Sequence, residues 1–193
     1  MYEFIRGIVA ELNPARIIIE AGGVGYSVII SLNTFSKLNG KKETTLLVHQ
    51  IVREDAHLLF GFADKSERDL FRHLISVNGV GANTAIMMLS SLTPEEIISA
   101  IALENVNVLK KIKGIGIKTA QRIIIDLKDK VAKTAETGQI FITADNTILN
   151  EALSALVMLG FSKKDVEKTV DAILTGDPSA TVESVVKQAL KRL

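Results

Sequence analysis

The 193-residue chain has no cysteine, which excludes disulfides, thiolate metal sites and cysteine nucleophiles and suits a reducing compartment. It has no excess of charge either: the formal net charge is +1, so bulk electrostatics alone does not announce a nucleic-acid binder. No apolar run approaches the roughly 18 residues of a membrane-spanning helix. The opening MYEFIRGIVAEL lacks the basic start and small-residue cleavage site of a secretory signal, so a cytoplasmic protein with no membrane partner is expected. His49, His57 and His73 show no metal-ligand spacing and read as ordinary surface or core residues, and no pair of carboxylates stands out as catalytic. No metal, cofactor or catalytic residue is therefore expected.

What is present is 47% apolar and 23% charged residues, the balance of a soluble globular chain with room for roughly one to three small domains. The charge is unevenly placed. Lys110, Lys111, Lys113, Lys118 and Arg122 lie between Asn105 and Ile125 with no acid among them.

The first third reads as β. YEFIRGIVAEL, ARIIIEAGGVGYSVIISL and TTLLVHQIVREDAHLLFGF are runs rich in Ile, Val, Phe and Thr, divided by turn signals at Asn13-Pro14, Gly22-Gly23, Gly40 and Glu54-Asp55. About five strands result, and so few bury their edges most simply in a small barrel of the oligonucleotide/oligosaccharide-binding (OB) type, with TFSKLNG as a short helix between strands. This barrel is assigned residues 1–63.

From Asp64 the apolar period becomes helical, with stripes at Leu70, Phe71, Leu74 and Ile75, at Ala85, Ile86, Met88 and Leu89, and at Ile97, Ile98, Ile101 and Ala102. Thr93, Pro94 and Glu96 compose a capping box with proline at the first helical position. Further helices over 106–112 and 118–131 complete an all-helical domain over 64–131. Residues 132–146, AKTAETGQIFITADN, are small and polar and are predicted to form a flexible linker, with a strand at GQIFIT as the alternative. Three short helices at 148–159, 163–174 and 182–193 make up a last domain over 147–193, punctuated by Gly160, a Ser162/Asp165 capping box and GDPS.

Inside the helical domain two stretches nearly repeat, LISVNGVGANTA (74–85) and LKKIKGIGIKTA (109–120), with their first glycines 35 positions apart (114 minus 79). Gly79, Gly81, Gly114 and Gly116 permit positive φ and leave no side chain in the way, so amides of the turn and of the next helix point together at an outside anion. Val80 and Ile115 plug each hairpin into the core, Lys118 and Arg122 add charge one turn apart, and Thr84 and Thr119 offer hydroxyls. A helix-capping glycine before a tight connection explains either turn alone. Two copies in matching frames, each followed by Thr-Ala at the same offset, point instead to the helix-hairpin-helix (HhH) motif, which grips the DNA backbone without reading bases. A nucleotide-binding loop around GIGIKT fails, because that motif needs Gly directly before Lys118, where Ile117 stands.

The order of an OB-like barrel, a tandem HhH domain, a linker and a three-helix tail resembles the RuvA family over essentially the whole length. The most specific stretches are GVGYSV, VREDAHLLFGF, LISVNGVG, GIGIKTAQRI and ALSALVMLGF. The resemblance implies an OB-fold barrel, a tandem HhH domain and a UBA-like three-helix bundle in a bacterial, non-catalytic DNA-binding subunit. It implies sequence-independent binding of four-way (Holliday) junctions, held open and planar by a homotetramer, with one tetramer or two on each junction. The partners it implies are the RuvB ATPase, which drives branch migration in recombination and repair, and the junction resolvase RuvC.

By the same resemblance Gly79, Val80, Gly81, Asn83, Thr84, Gly114, Ile115, Gly116, Lys118, Thr119, Arg122 and Arg53 contact DNA. Glu54 and Asp55 would form an acidic pin at the junction centre, where they repel phosphates; read without the resemblance they are a solvated turn. Leu156, Leu159 and Phe161 would dock RuvB, or else belong to the core of the tail. Asn83 and Ile117 stand where family members often carry lysine, which implies a shallower salt dependence of binding. Two other functions stay open: a repair enzyme anchored by its hairpins, for which no poised acid or lysine is marked, and a generic duplex- or RNA-binding protein.

Overall fold

Branched residues at a period of two put one face of each strand inward and let a short sheet close on itself. In the computed structural model β1 (Phe4–Asn13), β2 (Arg16–Ala21), β3 (Val24–Ile30), β4 (Glu43–Val52) and β5 (His57–Phe62) form a closed barrel in the order β1-β2-β3-β5-β4. Every pairing is antiparallel except that of β3 with β5. Ile5, Ile17, Ile19, Val28, Ile30, Leu46 and Val48 fill the interior, and α1 (Leu32–Leu38), the short helix expected between strands, adds Leu38. The structure describes residues 2–137, 144–177 and 180–193, in two compact units, 1–135 and 136–193.

The helical part of the first unit comprises α2 (Lys65–Ile75), α3 (Ala82–Ser91), α4 (Pro94–Ala102), α5 (Val106–Leu109) and α6 (Ile117–Thr137). The capping box forms in both directions, with Glu96 N donating to Thr93 Oγ1 at 3.2 Å and Thr93 N donating to Glu96 Oε2 at 2.8 Å. The apolar stripes converge on one core built around Leu70, Phe71, Leu74, Met88, Leu89, Ile97, Ile101, Leu109, Ile123 and Leu127. Phe60 and Phe62 of β5 belong to this core and not to that of the barrel, with ring centroids 5.2 and 4.9 Å from Phe71. The barrel and the helices are therefore joined through shared aromatic packing.

The segment expected as a linker, 132–146, is helical at both ends, because α6 runs on to Thr137 and α7 (Ala144–Met158) begins at Ala144. Ala132, Lys133, Ala135 and Glu136 are good helix formers and prolong α6 past the point where its apolar stripe ends. Residues 138–143, where GQIFIT offered a strand, lie outside the described residues. In the second unit α7, α8 (Lys163–Gly176) and α9 (Val182–Ala189) bury Ala152, Leu156, Val166, Val170, Ile173, Val185 and Ala189 against one another. Ser162 and Thr181 cap α8 and α9.

His49 on β4 is half-buried, edge-on to Phe71 at 5.5 Å, and its Nδ1 is enclosed without a hydrogen-bond partner. Burial first, and then Arg72 and Arg68, hold its pKa below the ordinary value, with Glu3 opposing them. The folded protein then binds fewer protons than the unfolded chain. This contribution to stability is fully present above the unfolded value of about 6.5 and is lost as pH falls through the folded one. Buried Glu67, whose pKa is raised chiefly by burial, acts with the opposite sign, being lost as pH rises through its folded value. Comparison with His49→Leu isolates the histidine: between about pH 7.5 and 5.5 the thermal midpoint of the wild type should fall more than that of the variant. Equal slopes would remove His49 as the cause.

Candidate nucleic-acid interface

The two repeated stretches fold into the same turn. In the first, Val77 N donates to Leu74 O at 3.1 Å, Val80 N to Val77 O at 3.0 Å and Ala85 N to Gly81 O at 2.9 Å. In the second, Ile112 N donates to Leu109 O at 3.1 Å, Ile115 N to Ile112 O at 3.0 Å and Ala120 N to Gly116 O at 2.9 Å. Gly79 and Gly114 share a φ of 91°, a left-handed conformation in which a side chain is strained. Val80 and Ile115 are each only 5% exposed, so each anchors its hairpin in the core and offers a ligand only backbone.

Above each anchor the surface is open. A Cβ built on Gly79, Gly81, Gly114 or Gly116 meets nothing within 4 Å. Gly81 is the extended N-cap of α3 and supplies no side-chain cap, so the first amides of that helix are left for an outside acceptor. Asn83, Ile117, Lys118 and Arg122 are exposed, whereas Thr84 and Thr119 are half-buried. Lys110, Lys111, Lys113, Lys118 and Arg122 make no ion pair with a described residue, while nearby Lys128 is taken up by Glu104. The result is two backbone cradles, the second amid uncompensated positive charge, an arrangement that suits phosphates and carries no base readout.

A third element sits on the barrel. The β4–β5 hairpin is closed by Arg53 N donating to Ala56 O at 2.8 Å, and Arg53, Glu54 and Asp55 are all exposed at its tip.

The family described as RuvA N terminal domain matches residues 1–61, the SAM-like Helix-hairpin-helix tandem matches 71–129, and the RuvA C-terminal domain matches 147–193. The "Holliday junction branch migration complex subunit RuvA" of Bacteroides thetaiotaomicron is 50% identical over 201 residues, covering all of both chains. The proteins of the same name in Christiangramia forsetii and Porphyromonas gingivalis are 50% and 46% identical over 193 and 202 residues, again over all of both chains. The chain belongs to the RuvA family.

RuvA membership accounts for the sequence of parts, and the structure sorts the residues expected to dock a partner. Leu156 is fully buried in the core of the tail, held between α7 and the other two helices, so its side chain is unavailable to a partner. Phe161 is partly buried against the same core. Leu159 is exposed, because α7 stops at Met158 and the chain turns through Gly160 at a φ of 100°. Met158, at 88% exposure, and Val157 extend this apolar surface along a groove lined also by Leu149, Leu153 and Lys163. Sequence reasoning missed Val157 and Met158. Within ALVMLGF only the position of the helix axis separates them from Leu156. Among the described residues no single helix is long and apolar enough to cross a membrane.

Proposed function

We infer that this chain binds four-way DNA junctions as the non-catalytic subunit of a branch migration complex. The observation that carries this reading is the pair of matching hairpins in a RuvA-family chain, each with a left-handed glycine and an open backbone face, the second of them followed by Lys118 and Arg122 without an ion pair to a described residue. Gly79, Gly81, Gly114 and Gly116 approach the phosphates, Lys118 and Arg122 neutralise them, and Asn83, Thr84 and Thr119 add polar contacts. Val80 and Ile115 contribute through their backbone. Binding is independent of sequence, as a migrating junction requires.

In this reading four copies hold the junction open and planar. Tyr2, Phe4, Ile8 and Val24, apolar yet exposed on or beside the barrel strands, support contacts between copies. Val157, Met158 and Leu159 dock the RuvB ATPase, with RuvC a further partner, and the complex works in the cytoplasm. Glu54 and Asp55 face the junction centre and Arg53 meets a phosphate beside them.

A competition gel shift between a synthetic four-way junction and linear duplex of the same sequence, at fixed salt, tests the function. Strong preference for the junction is expected. Equal affinity would leave a generic backbone binder, and strand cleavage or base release by the protein alone would contradict a non-catalytic subunit. The pin carries its own prediction: Glu54→Gln with Asp55→Asn, by removing repulsion, should raise duplex affinity by about threefold to tenfold. Unchanged or weaker duplex binding counts against the pin.

A further inference from the structure

Ser31, Thr34 and Glu67 are polar side chains with no exposed surface, and they meet where the barrel joins the helices. Thr34 Oγ1 donates to Glu67 Oε2 at 2.7 Å, and Ser31 Oγ donates to Glu67 Oε1. Each hydroxyl also accepts a backbone amide, Ser31 from Thr34 N at 3.0 Å and Thr34 from Ala63 N at 3.0 Å. Beside them Lys37 Nζ donates to Asp64 Oδ2 at 2.6 Å, while Asp64 Oδ1 accepts Glu67 N at 2.9 Å and so caps α2. The other end of the bracket grips α3: Asn33 Nδ2 donates to Leu89 O at 2.6 Å and Leu92 O at 3.0 Å, and Leu32 N donates to Ser90 Oγ at 3.1 Å. Helix α1 thus ties the barrel to both helices that flank the first hairpin.

The chain path makes this joint a lever. From the acidic tip, β5 runs to Phe62; after Asp64, α2 runs from Lys65 to Ile75, just before the turn at Gly79. At about 3.3 Å per residue the strand is about 20 Å long, so a tilt of about 10° at the joint moves the tip by about 3.5 Å, close to one nucleotide step of about 3.4 Å. A duplex needs only the hairpins, whereas a junction must meet the hairpins and the tip together.

We propose that Glu67 is a positioning residue: by clamping Ser31 and Thr34 it fixes the angle between barrel and helices, and so sets the preference for a four-way junction over a duplex. The role rests on the junction-binding reading above. A carboxylate suits it because each hydroxyl accepts one amide and has one proton to give, and two acceptor oxygens take both protons without conflict. Glutamine of the same shape would turn an NH2 toward one hydroxyl and strand its proton. A buried carboxyl is a poor way to gain stability and a better way to specify one arrangement.

The test is Glu67→Gln in the full chain, with affinity for a four-way junction and for linear duplex measured beside a thermal melt and sedimentation. Junction affinity should fall about tenfold while duplex affinity stays within about twofold, in a folded protein of unchanged assembly state. Asn33→Ala, which loosens the far end of the bracket and leaves the carboxylate in place, should shift the ratio in the same direction, and it decides the matter if Glu67→Gln does not fold. A wild type that prefers the junction while folded variants keep the full preference overturns the role alone. Junction and duplex affinities falling together overturn it too. A wild type with no preference overturns the function beneath it.

Discussion

Gly81→Ala combined with Gly116→Ala should leave the fold intact and lower junction affinity at least about a hundredfold. The added methyl groups meet no protein atom within 4 Å, and neither glycine has a positive φ, so no folding penalty beyond about 0.5 kcal/mol is expected. The methyls occupy the open face where, in the junction-binding reading, a phosphate oxygen approaches the amides. If each hairpin loses one hydrogen bond to a charged group, worth about 1.5 kcal/mol, the pair loses about 3 kcal/mol per subunit, or about a hundredfold for each subunit engaged, which sets the least that a junction held by several copies should lose. Gly79→Ala with Gly114→Ala is the contrasting pair. There the φ of 91° imposes about 1–2 kcal/mol of strain at each site, so stability and binding should fall together. Thermal melts and gel shifts on both pairs separate the two effects. Full junction affinity in the Gly81/Gly116 variant would return the turns to being structural corners.

Phe71→Ala should be the most damaging single core change, at about 3–5 kcal/mol, a large share of the roughly 5–15 kcal/mol that stabilises a domain. Phe71 is fully buried and contacts Phe60, Phe62 and His49, so its removal opens a cavity between the β5–β4 wall of the barrel and α2. Because the cavity belongs to both parts, barrel and helices should lose stability together. Hydrogen exchange followed in β5 and α3 checks this, with protection in both elements falling by the same factor. A loss confined to α3 would show that the shared aromatic contact does not couple them.

Local features were legible from residue order. The barrel strands appear as branched runs between turn residues, the Thr93–Glu96 box forms as read, and of the doubled Gly-x-Gly turn the first glycine of each copy takes the positive φ that glycine permits while the second does not. Each of these depends on φ preference, hydrophobic period or a partner within four residues, all visible along the chain.

Other features needed the third dimension. Asp64-x-x-Glu67 has the form of a capping box, and Asp64 does cap α2, yet Glu67 turns away from its own helix to Ser31 and Thr34, separated from it by 36 and 33 positions. Phe60 and Phe62 continue the strand pattern but serve the helical core, a choice made by where α2 lands against β5. Leu156 and Leu159 are alike in composition and three apart, and only the packing of α7 against α8 and α9 buries one and exposes the other. The sequence by itself therefore determined most of the elements, their order and the doubled glycine turns, because those are set by backbone conformation and short-range periodicity. The tertiary structure alone decided which apolar residues remain as surface and which hydroxyls the buried Glu67 carboxyl meets, because both depend on contacts between segments far apart in the chain.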